Sequence, residues 1–274
     1  MKIAVFYFSG TGSTWWVANQ FKNIAENRGH FIDLYSIEKS DEYNLQRIIS
    51  AIDILGFAYP IYGSGLPKIM RSFLVEKFKN IDIDHKIPVL VLTSMLYFSG
   101  DGALISKKYL DKTKMELNWT TNISLTSNIS IPGFKVNPVS QEKLNRRMNN
   151  ANENLKKLLV DIENGKKRLR TQWGLIGRLL GWFQRVFEPM MDKLIKFSVD
   201  PDRCIKCLKC VKECPVENIT YDEISEKITI FNNCMWCMRC YTRCPTQAVL
   251  VNGRFCDPEK FKRLKPISKD FKVN

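Results

Sequence analysis

Eight of the nine cysteines lie in one short stretch, Cys204 to Pro245, and their spacing repeats. Each copy reads Cys-x-x-Cys-x-x-Cys-x-x-x-Cys-Pro, and each cysteine of the second copy follows its counterpart by thirty residues. A fixed offset indicates one supersecondary unit that occurs twice. Three thiolates at three-residue intervals can turn toward one face of an iron–sulfur cluster, and a fourth must come from elsewhere in the fold. The two groups are Cys204, Cys207, Cys210 and Cys214, and Cys234, Cys237, Cys240 and Cys244.

Two other uses of cysteine fit this pattern less well. A structural zinc site takes its ligands as two pairs separated by a dozen or more residues, and the closely spaced triplets leave one thiolate too many. A disulfide framework needs an oxidising compartment. The apolar run Ile3 to Phe8 is too short for a signal-peptide core and lacks a cleavage site, so we expect a cytoplasmic protein. Cys256 lies outside both copies and is expected to be a free thiol.

Residues 199 to 252 resemble the bacterial dicluster ferredoxins. The resemblance implies two [4Fe-4S] clusters within electron-transfer reach of each other. It also implies an exchange of ligands, because the trailing cysteine of each run ligates the other cluster in such proteins. The expected first set is Cys204, Cys207, Cys210 and Cys244, and the second is Cys234, Cys237, Cys240 and Cys214.

A turn rich in glycine and hydroxyl groups follows the first apolar run of the chain. Lys2 to Ser9 is predicted to be a buried strand, and the segment from Trp15 to Phe21 belongs to a predicted helix. A turn between a strand and a helix can bind an anion through backbone N–H groups and hydroxyls. This one lacks the lysine of a P-loop and the third small residue of a dinucleotide fingerprint. It consists of Ser9, Gly10, Thr11, Gly12, Ser13 and Thr14.

This turn resembles the phosphate loop of flavodoxins, and the resemblance covers about residues 1 to 165. It implies bound FMN and an α/β fold, a doubly wound parallel sheet with strand order 2-1-3-4-5. Alternating strand and helix patterns argue independently for a parallel sheet with helices on both faces. Further strands are predicted at His30 to Ile37, Ile52 to Tyr59, Lys86 to Thr93 and Thr120 to Ile131, and helices at Asn44 to Ser50, Leu66 to Phe78 and Gly102 to Lys112.

The flavodoxin-like order would place the ligand at the carboxyl ends of strands one and three. The loop after strand four also resembles a flavin-contacting loop, since an aromatic residue precedes Gly-Asp. Tyr62, Tyr97 and Phe98 are the candidates for stacking on the flavin ring. The expected contacts from these two loops are Pro60, Ile61, Tyr62 and Gly63, and Ser94, Met95, Tyr97, Phe98, Ser99 and Gly100.

An insertion, Pro132 to Pro138, follows the predicted fifth strand. It either approaches the cofactors or only connects the strand to the next helix, and we expect the second. Ser140 to Arg170 is predicted to be a long polar helix with an apolar stripe. The lysine-rich tail, Lys260 to Asn274, is expected to be solvated.

The stretch from Trp173 to Phe197 has a wide apolar stripe at helical spacing, and Pro189 predicts a kink or the start of a second helix. The stripe can pack between the domains or in a homodimer, dock into a partner's groove, or lie on an anionic membrane surface. Because such stripes usually belong to a core, we expect interdomain or dimer packing. Residues 138 to 200 have 13 basic against 7 acidic residues, an excess that predicts an acidic partner or an anionic surface.

The predicted organisation is a flavodoxin-like FMN domain at 1 to 165, an amphipathic helical linker at 166 to 198, and a small α+β dicluster ferredoxin domain at 199 to 274. The whole resembles the fused flavodoxin/ferredoxin proteins of anaerobes. This implies an electron-transfer protein that relays single electrons between two [4Fe-4S] clusters and FMN, for a redox protein partner. Two alternatives are an FMN-dependent reductase of a small molecule and a ferredoxin whose other half only docks. We expect no nucleic-acid partner and no membrane span.

Overall fold

The computed structural model describes residues 1–79, 81–110 and 114–273, with residues 188, 189, 191 and 192 described without their side chains. Its main sheet consists of β1 (Lys2–Tyr7), β2 (Phe31–Ser36), β3 (Ile54–Pro60), β4 (Ile87–Met95) and β5 (Met115–Ser124). All neighbouring pairs are parallel. The order is β2-β1-β3-β4-β5, so the predicted flavodoxin-like α/β arrangement is confirmed.

Two apolar cores lie on opposite faces of this sheet, because side chains alternate along each strand. Ile3 and Val5 of β1 belong to one core, and Ala4 and Phe6 belong to the other. The first core is covered by α1 (Ser13–Glu26) and α5 (Gln141–Glu163). The second is covered by α2 (Leu45–Ile49), α3 (Lys68–Ser72) with a π turn at Phe73–Lys77, and α4 (Lys107–Leu110), and short 3-10 turns occupy Ile37–Lys39 and Leu104–Ser106.

Two predicted elements end earlier than expected. The long helix stops at Glu163 instead of Arg170, since Gly165 follows with a φ of 63°, a conformation that favours glycine. The chain then turns back along β5, where Arg168 accepts from the amide of Thr120 at 2.8 Å. The predicted fifth strand ends at Ser124, and residues further on form a hairpin of β6 (Ser130–Ile131) and β7 (Phe134–Lys135). The predicted helix end at Lys112 lies outside the described residues.

The cysteine-rich segment is built twice. It contains β8 (Phe197–Val199), α7 (Lys209–Lys212), β9 (Ile219–Asp222), β10 (Lys227–Ile230), α8 (Arg239–Arg243) and β11 (Val249–Val251). Strand β8 pairs antiparallel with β11, and β9 pairs antiparallel with β10. Six non-glycine residues have positive φ in pairs thirty residues apart: Lys206 and Trp236, Leu208 and Met238, and Glu217 and Gln247. The backbone therefore repeats as the sequence predicts.

The apolar segment forms one helix, α6 (Gly174–Leu194), which continues through the position of Pro189. Its contacts with the main domain come from small and polar residues. The nearest atoms around Gly181 belong to Asp101, Ser64 and Arg185. The apolar residues face outward instead: Leu179 is 59% exposed and Val186 is 53% exposed. Our expectation that the stripe packs between the domains is therefore wrong, because glycines bring the opposite face of α6 against the sheet domain.

None of the helices in the described part of the chain has both the length and the apolar character that crossing a membrane requires.

The expected solvation of the C-terminal tail is wrong at three of its apolar residues. Leu264 and Phe271 are buried, and Ile267 packs against the core under α1. The ring of Phe271 lies 6.0 Å from that of Trp15 and directly beside Gly12. Apolar side chains spaced along the basic tail account for its return to the sheet domain.

Candidate cofactor site

A cavity of about 540 Å³ opens at the carboxyl ends of β1, β3 and β4, where a flavodoxin-like sheet holds its ligand. Residues of the sheet domain and of the cysteine-rich segment both line this cavity. Most of the residues predicted from the three loops line it: Ser9, Gly10, Thr11, Ser13, Thr14, Pro60, Ile61, Tyr62, Gly63, Ser94, Met95, Tyr97 and Phe98. Gly12, Ser99 and Gly100 are not among the lining residues.

The first loop is held in shape by its own side chains. The hydroxyl of Ser9 accepts from the amides of Gly12 at 3.1 Å and Trp15 at 3.2 Å. Gly12 has a φ of 100° and caps α1 without a side-chain hydrogen bond, which leaves the first N–H groups of the helix for a ligand. Since Thr14 bonds Ser94 at 2.7 Å, Thr11 and Ser13 are the hydroxyls best placed to bind a phosphate.

The other two loops provide aromatic surface. Tyr97 is 56% exposed at the mouth of the cavity, and Arg147 lies over its ring at 4.9 Å from the centroid. The hydroxyl of Tyr62 is buried without a hydrogen-bond partner in the described structure. Burial raises the pKa of Tyr62 well above its usual value, and the neighbouring Cys237 adds to the effect. The phenol therefore stays protonated and can donate to a bound molecule.

Ser99 and Gly100 turn away from the cavity and hold the segment before α6. The amide of Ser99 donates to Oε1 of Gln172 at 2.7 Å. The backbone carbonyl of Gly177 lies 3.0 Å from where a side chain on Gly100 would begin. Ser99 and Gly100, which were predicted to contact the flavin, instead pack against α6 and the segment before it. Gln184 and Phe187 of α6 line the cavity.

The hairpin β6–β7 reaches the cavity too, so our expectation that this insertion only connects two elements is wrong. Phe134 lines the cavity and meets Trp236 edge-on, with ring centroids 6.2 Å apart. Trp236 meets Phe197 in the same way at 6.2 Å. An aromatic side chain on a short hairpin finds apolar neighbours in the cysteine-rich segment, and this fixes the hairpin over the opening.

The second cysteine copy forms a wall of the same cavity. Cys234, Met235 and Trp236 line it, and the same three residues line a second, much smaller cavity. The smaller cavity is surrounded by four cysteines, Cys214, Cys234, Cys237 and Cys240. One strip of three residues thus separates the predicted flavin position from the predicted second cluster.

Arg239 joins the cysteine-rich segment to the first loop. Its side chain is 1% exposed and forms an ion pair with Glu38 at 2.6 Å. It also donates to the carbonyl groups of Ser9 at 3.0 Å, Gly10 at 3.1 Å and Glu213 at 2.8 Å. Burial alone lowers the pKa of Arg239, but Glu38 together with Cys237 and Tyr62 outweighs burial, and the net shift of the pKa is upward. The guanidinium is therefore charged and fully hydrogen-bonded at this junction.

A second polar link runs from Asn128, which follows β5. Its amide donates to the hydroxyl of Thr11 and to the carbonyl of Cys237, both at 3.2 Å. Sequence reasoning singled out neither Asn128 nor Arg239. In the first copy the corresponding residue is Lys209, which is exposed. This difference between the two copies was a signal in the sequence that could have pointed to Arg239.

Thiols from the two cysteine copies lie near one another. Burial raises the pKa of Cys210 to about 11, and Cys204, Cys244 and Cys207 add to the shift. Burial likewise raises the pKa of Cys237 to about 12, with Cys234 and Cys214 adding to it. Cys244 therefore lies near Cys210, and Cys214 lies near Cys237, while the two ligand sets stay a prediction. None of the nine cysteines is in a disulfide.

Backbone amides point at the sulfur atoms in matching pairs. Lys206 donates to Cys204 and Trp236 donates to Cys234, both at 3.4 Å. Asn218 donates to Cys214 at 3.3 Å, and Ala248 donates to Cys244 at 3.2 Å. Such bonds stabilise thiolates and tune cluster potentials. Among the described residues, no three side chains are placed to hold a single metal ion. A cluster does not need such a group, because each thiolate binds a different iron atom.

The exchanged ligands make a direct prediction. Cys214→Ala should remove the second cluster and Cys244→Ala the first, so each variant should lose about four of eight iron atoms. Iron and sulfide analysis after anaerobic reconstitution measures the loss. Because the dicluster resemblance assigns Cys214 and Cys234 to one set, Cys214→Ala with Cys234→Ala should lose no more iron than Cys214→Ala alone. An additive loss in the double variant would contradict the assignment.

Comparison with known proteins identifies the cysteine-rich part. Residues 203–249 match the family described as the 4Fe-4S dicluster domain. Comparison with curated proteins finds no match. Among solved structures, the chain is similar to a flavodoxin from the domain Archaea, with a TM-score of 0.42, 11% identity, and 60% of this chain and 99% of that chain covered. It is also similar to oxidised Flavodoxin 1 from Bacillus cereus, with a TM-score of 0.38, 14% identity, and 58% and 99% covered.

The chain therefore joins two parts of known kind. Its sheet has the flavodoxin-like strand order, and its cysteine-rich segment is an iron–sulfur domain of the dicluster type. These parts define the class of the protein, a flavodoxin-like fold joined to a 4Fe-4S dicluster domain.

Proposed function

We propose that this protein relays electrons between two [4Fe-4S] clusters and an FMN bound in the 540 Å³ cavity. The observation that supports this most strongly is the shared wall, because Cys234, Met235 and Trp236 line both the cavity and the space between the second set of cysteines. When bound, FMN exchanges one or two electrons and each cluster exchanges one, so their combination converts between single-electron and two-electron chemistry.

The residues present fit FMN. Thr11, Ser13 and the N-terminus of α1 supply neutral donors for a phosphate. Tyr62, with its unpartnered hydroxyl, and Phe98 supply aromatic surface for the ring. Trp236 and Phe134 close the side toward the cysteine-rich segment and exclude water from it. Exclusion of water and a fixed arrangement of donors are how a protein tunes the potentials of its cofactors.

The two cysteine copies differ in exposure, and this difference indicates which cluster an external partner would meet. In the second copy, Met235 and Cys237 are buried against the sheet domain. In the first copy, Cys207 is exposed and Ile205 is 62% exposed. We infer that an external redox partner meets the first cluster, while the second faces the flavin. Exposed Lys206, Lys209 and Lys212 surround the first set, which suits a partner with an acidic surface.

The phosphate assignment is tested by removing the hydroxyls of Thr11 and Ser13. Thr11→Val with Ser13→Ala should weaken FMN binding by about ten- to hundredfold for each bond lost, since hydrogen bonds to charged groups contribute about 1.5–3 kcal/mol. Fluorescence titration of the flavin-free protein measures the dissociation constant. Riboflavin, which lacks the phosphate, is the control and should bind both proteins equally. Equal losses for both ligands would place the phosphate elsewhere, and an absence of FMN binding by the unaltered chain would favour a docking role for this domain.

A further inference from the structure

Helix α6 presents one continuous face of large, exposed apolar residues. One row follows helical spacing through Leu175, which is 79% exposed, Leu179, Trp182, Val186 and Met190. A neighbouring row contains Ile176, Leu180, Phe183, Phe187 and Leu194, each 42% exposed or more. Exposed apolar patches of this extent on a polar-rimmed protein mark an interaction surface.

The exposed face is held outward by specific contacts on the opposite side. Arg185 forms an ion pair with Asp101 at 2.6 Å and donates to the carbonyl of Ser64 at 2.7 Å. The backbone of α6 approaches the Gly100 turn at Gly177 and Gly181. A side chain on Gly181 would collide with Asp101, and one on Gly177 would collide with the backbone of Gln172. Because the polar face is already satisfied, rotating the helix to bury its apolar rows would break a half-buried ion pair.

The charge around α6 is strongly positive. Residues 165–196 contain eight lysine or arginine residues and two acidic ones, a difference of +6. Three of the eight pair with acids outside the helix: Lys167 with Glu116, Arg168 with Asp161, and Arg185 with Asp101. The other five, all exposed, are Lys166, Arg170, Arg178, Lys193 and Lys196.

We propose that α6 lies flat on an anionic phospholipid surface, with its apolar rows among the acyl chains and its basic residues at the headgroups. An interfacial helix has this combination of a broad apolar face with tryptophan, phenylalanine and leucine and basic residues beside it. Trp173 and Trp182 are 64% and 53% exposed, as anchors at a membrane interface are. The helix has 21 residues, so about 31 Å of apolar face lies parallel to the surface.

The same charge argues against a second copy as the occupant. With the three paired acids counted, two copies joined through α6 would bring two surpluses of +3 together, and like charges across an interface oppose association. An anionic lipid surface supplies the opposite charge for the exposed basic residues within α6 and on either side of it. Gln184 and Phe187 also reach the cofactor cavity, so attachment through α6 would bring the cavity close to the membrane.

The experiment is co-sedimentation of the full chain, loaded with its cofactors, with vesicles of phosphatidylcholine alone or mixed with phosphatidylglycerol. We expect binding to the mixed vesicles that weakens as salt is raised. Leu179→Glu with Val186→Glu should lower the vesicle partition coefficient by about a hundredfold or more, since two apolar side chains lose their burial. Arg178→Gln with Lys193→Gln should lower it about fivefold for each residue.

Ile224→Glu is the matched control, because Ile224 is 98% exposed on the β9–β10 turn, away from α6, and its binding should be unchanged. If the apolar variant loses its fold by circular dichroism, the charge variant decides. Three results would overturn the proposal: an absence of binding to mixed vesicles, binding that neither set of substitutions weakens, or a concentration-dependent doubling of mass that Leu179→Glu with Val186→Glu abolishes. Retention on an acidic polypeptide resin but not on vesicles would instead assign the surface to a protein partner.

Discussion

Arg239→Met is expected to destabilise the protein by about 3–5 kcal/mol, because it leaves a buried carboxylate without its partner. Glu38 is 13% exposed and bonds Arg239 through both carboxylate oxygens. The carbonyl groups of Ser9 and Gly10 would lose their donors at the same time. Chemical denaturation of the loaded protein measures the free energy of unfolding, and flavin titration should show weaker FMN binding in parallel.

Lys209→Met provides the matched control, since Lys209 occupies the same place in the first cysteine copy and is exposed. Its free energy of unfolding should change by less than about 0.5 kcal/mol. Glu38→Gln should recover part of the loss in an Arg239→Met background, because it removes the unpaired charge. Equal effects of Arg239→Met and Lys209→Met would mean that the junction between the domains does not depend on this guanidinium.

Gly10→Val is expected to disturb both cofactor sites together. A side chain at this position would begin 2.7 Å from the carbonyl oxygen of Cys237 and 2.9 Å from the hydroxyl of Tyr62. Backbone atoms cannot give way as a flexible side chain can, so the first loop and the second cysteine loop must separate. We expect a loss of about 1–3 kcal/mol in stability, weaker FMN binding, and an altered visible spectrum of the second cluster.

Gly65→Ala is the control for this prediction. It lies in the neighbouring loop, and the nearest atom to its added carbon is 3.6 Å away, which is ordinary van der Waals contact. Its stability, flavin affinity and cluster spectrum should match those of the unaltered protein. A Gly10→Val protein with normal flavin affinity and an unchanged cluster spectrum would show that the two loops are not in contact.

Much of the site could be predicted from sequence because its signals are local. The spacing of Cys204 to Cys214, and its repetition from Cys234 to Cys244, depends on short loops that carry their own geometry. The turn from Ser9 to Thr14 likewise lies between one strand and one helix. The alternating strand and helix patterns predicted a parallel sheet, and the strand order followed from the resemblance to flavodoxins.

The features that were missed depend on long-range packing. Asn128, Phe134 and Arg239 contribute to the site where the two domains meet, and none occupies a position that a local motif specifies. The apolar stripe of α6 was expected to be core, because spacing alone shows that a helix has an apolar face but not what covers it. The orientation of the helix depends on Gly177 and Gly181, whose role is visible only in the structure, where the helix approaches Gly100 and Asp101.

The most direct test of the account is whether electrons pass between the second cluster and the flavin within one chain. The clusters are reduced first by a rapid flash donor, and the flavin absorbance change is followed without oxygen. Transfer within one chain predicts a first-order rate that does not change on dilution. This rate should fall sharply in Cys214→Ala but much less in Cys244→Ala. A rate that rises in proportion to protein concentration, or that Cys214→Ala leaves unchanged, would contradict it.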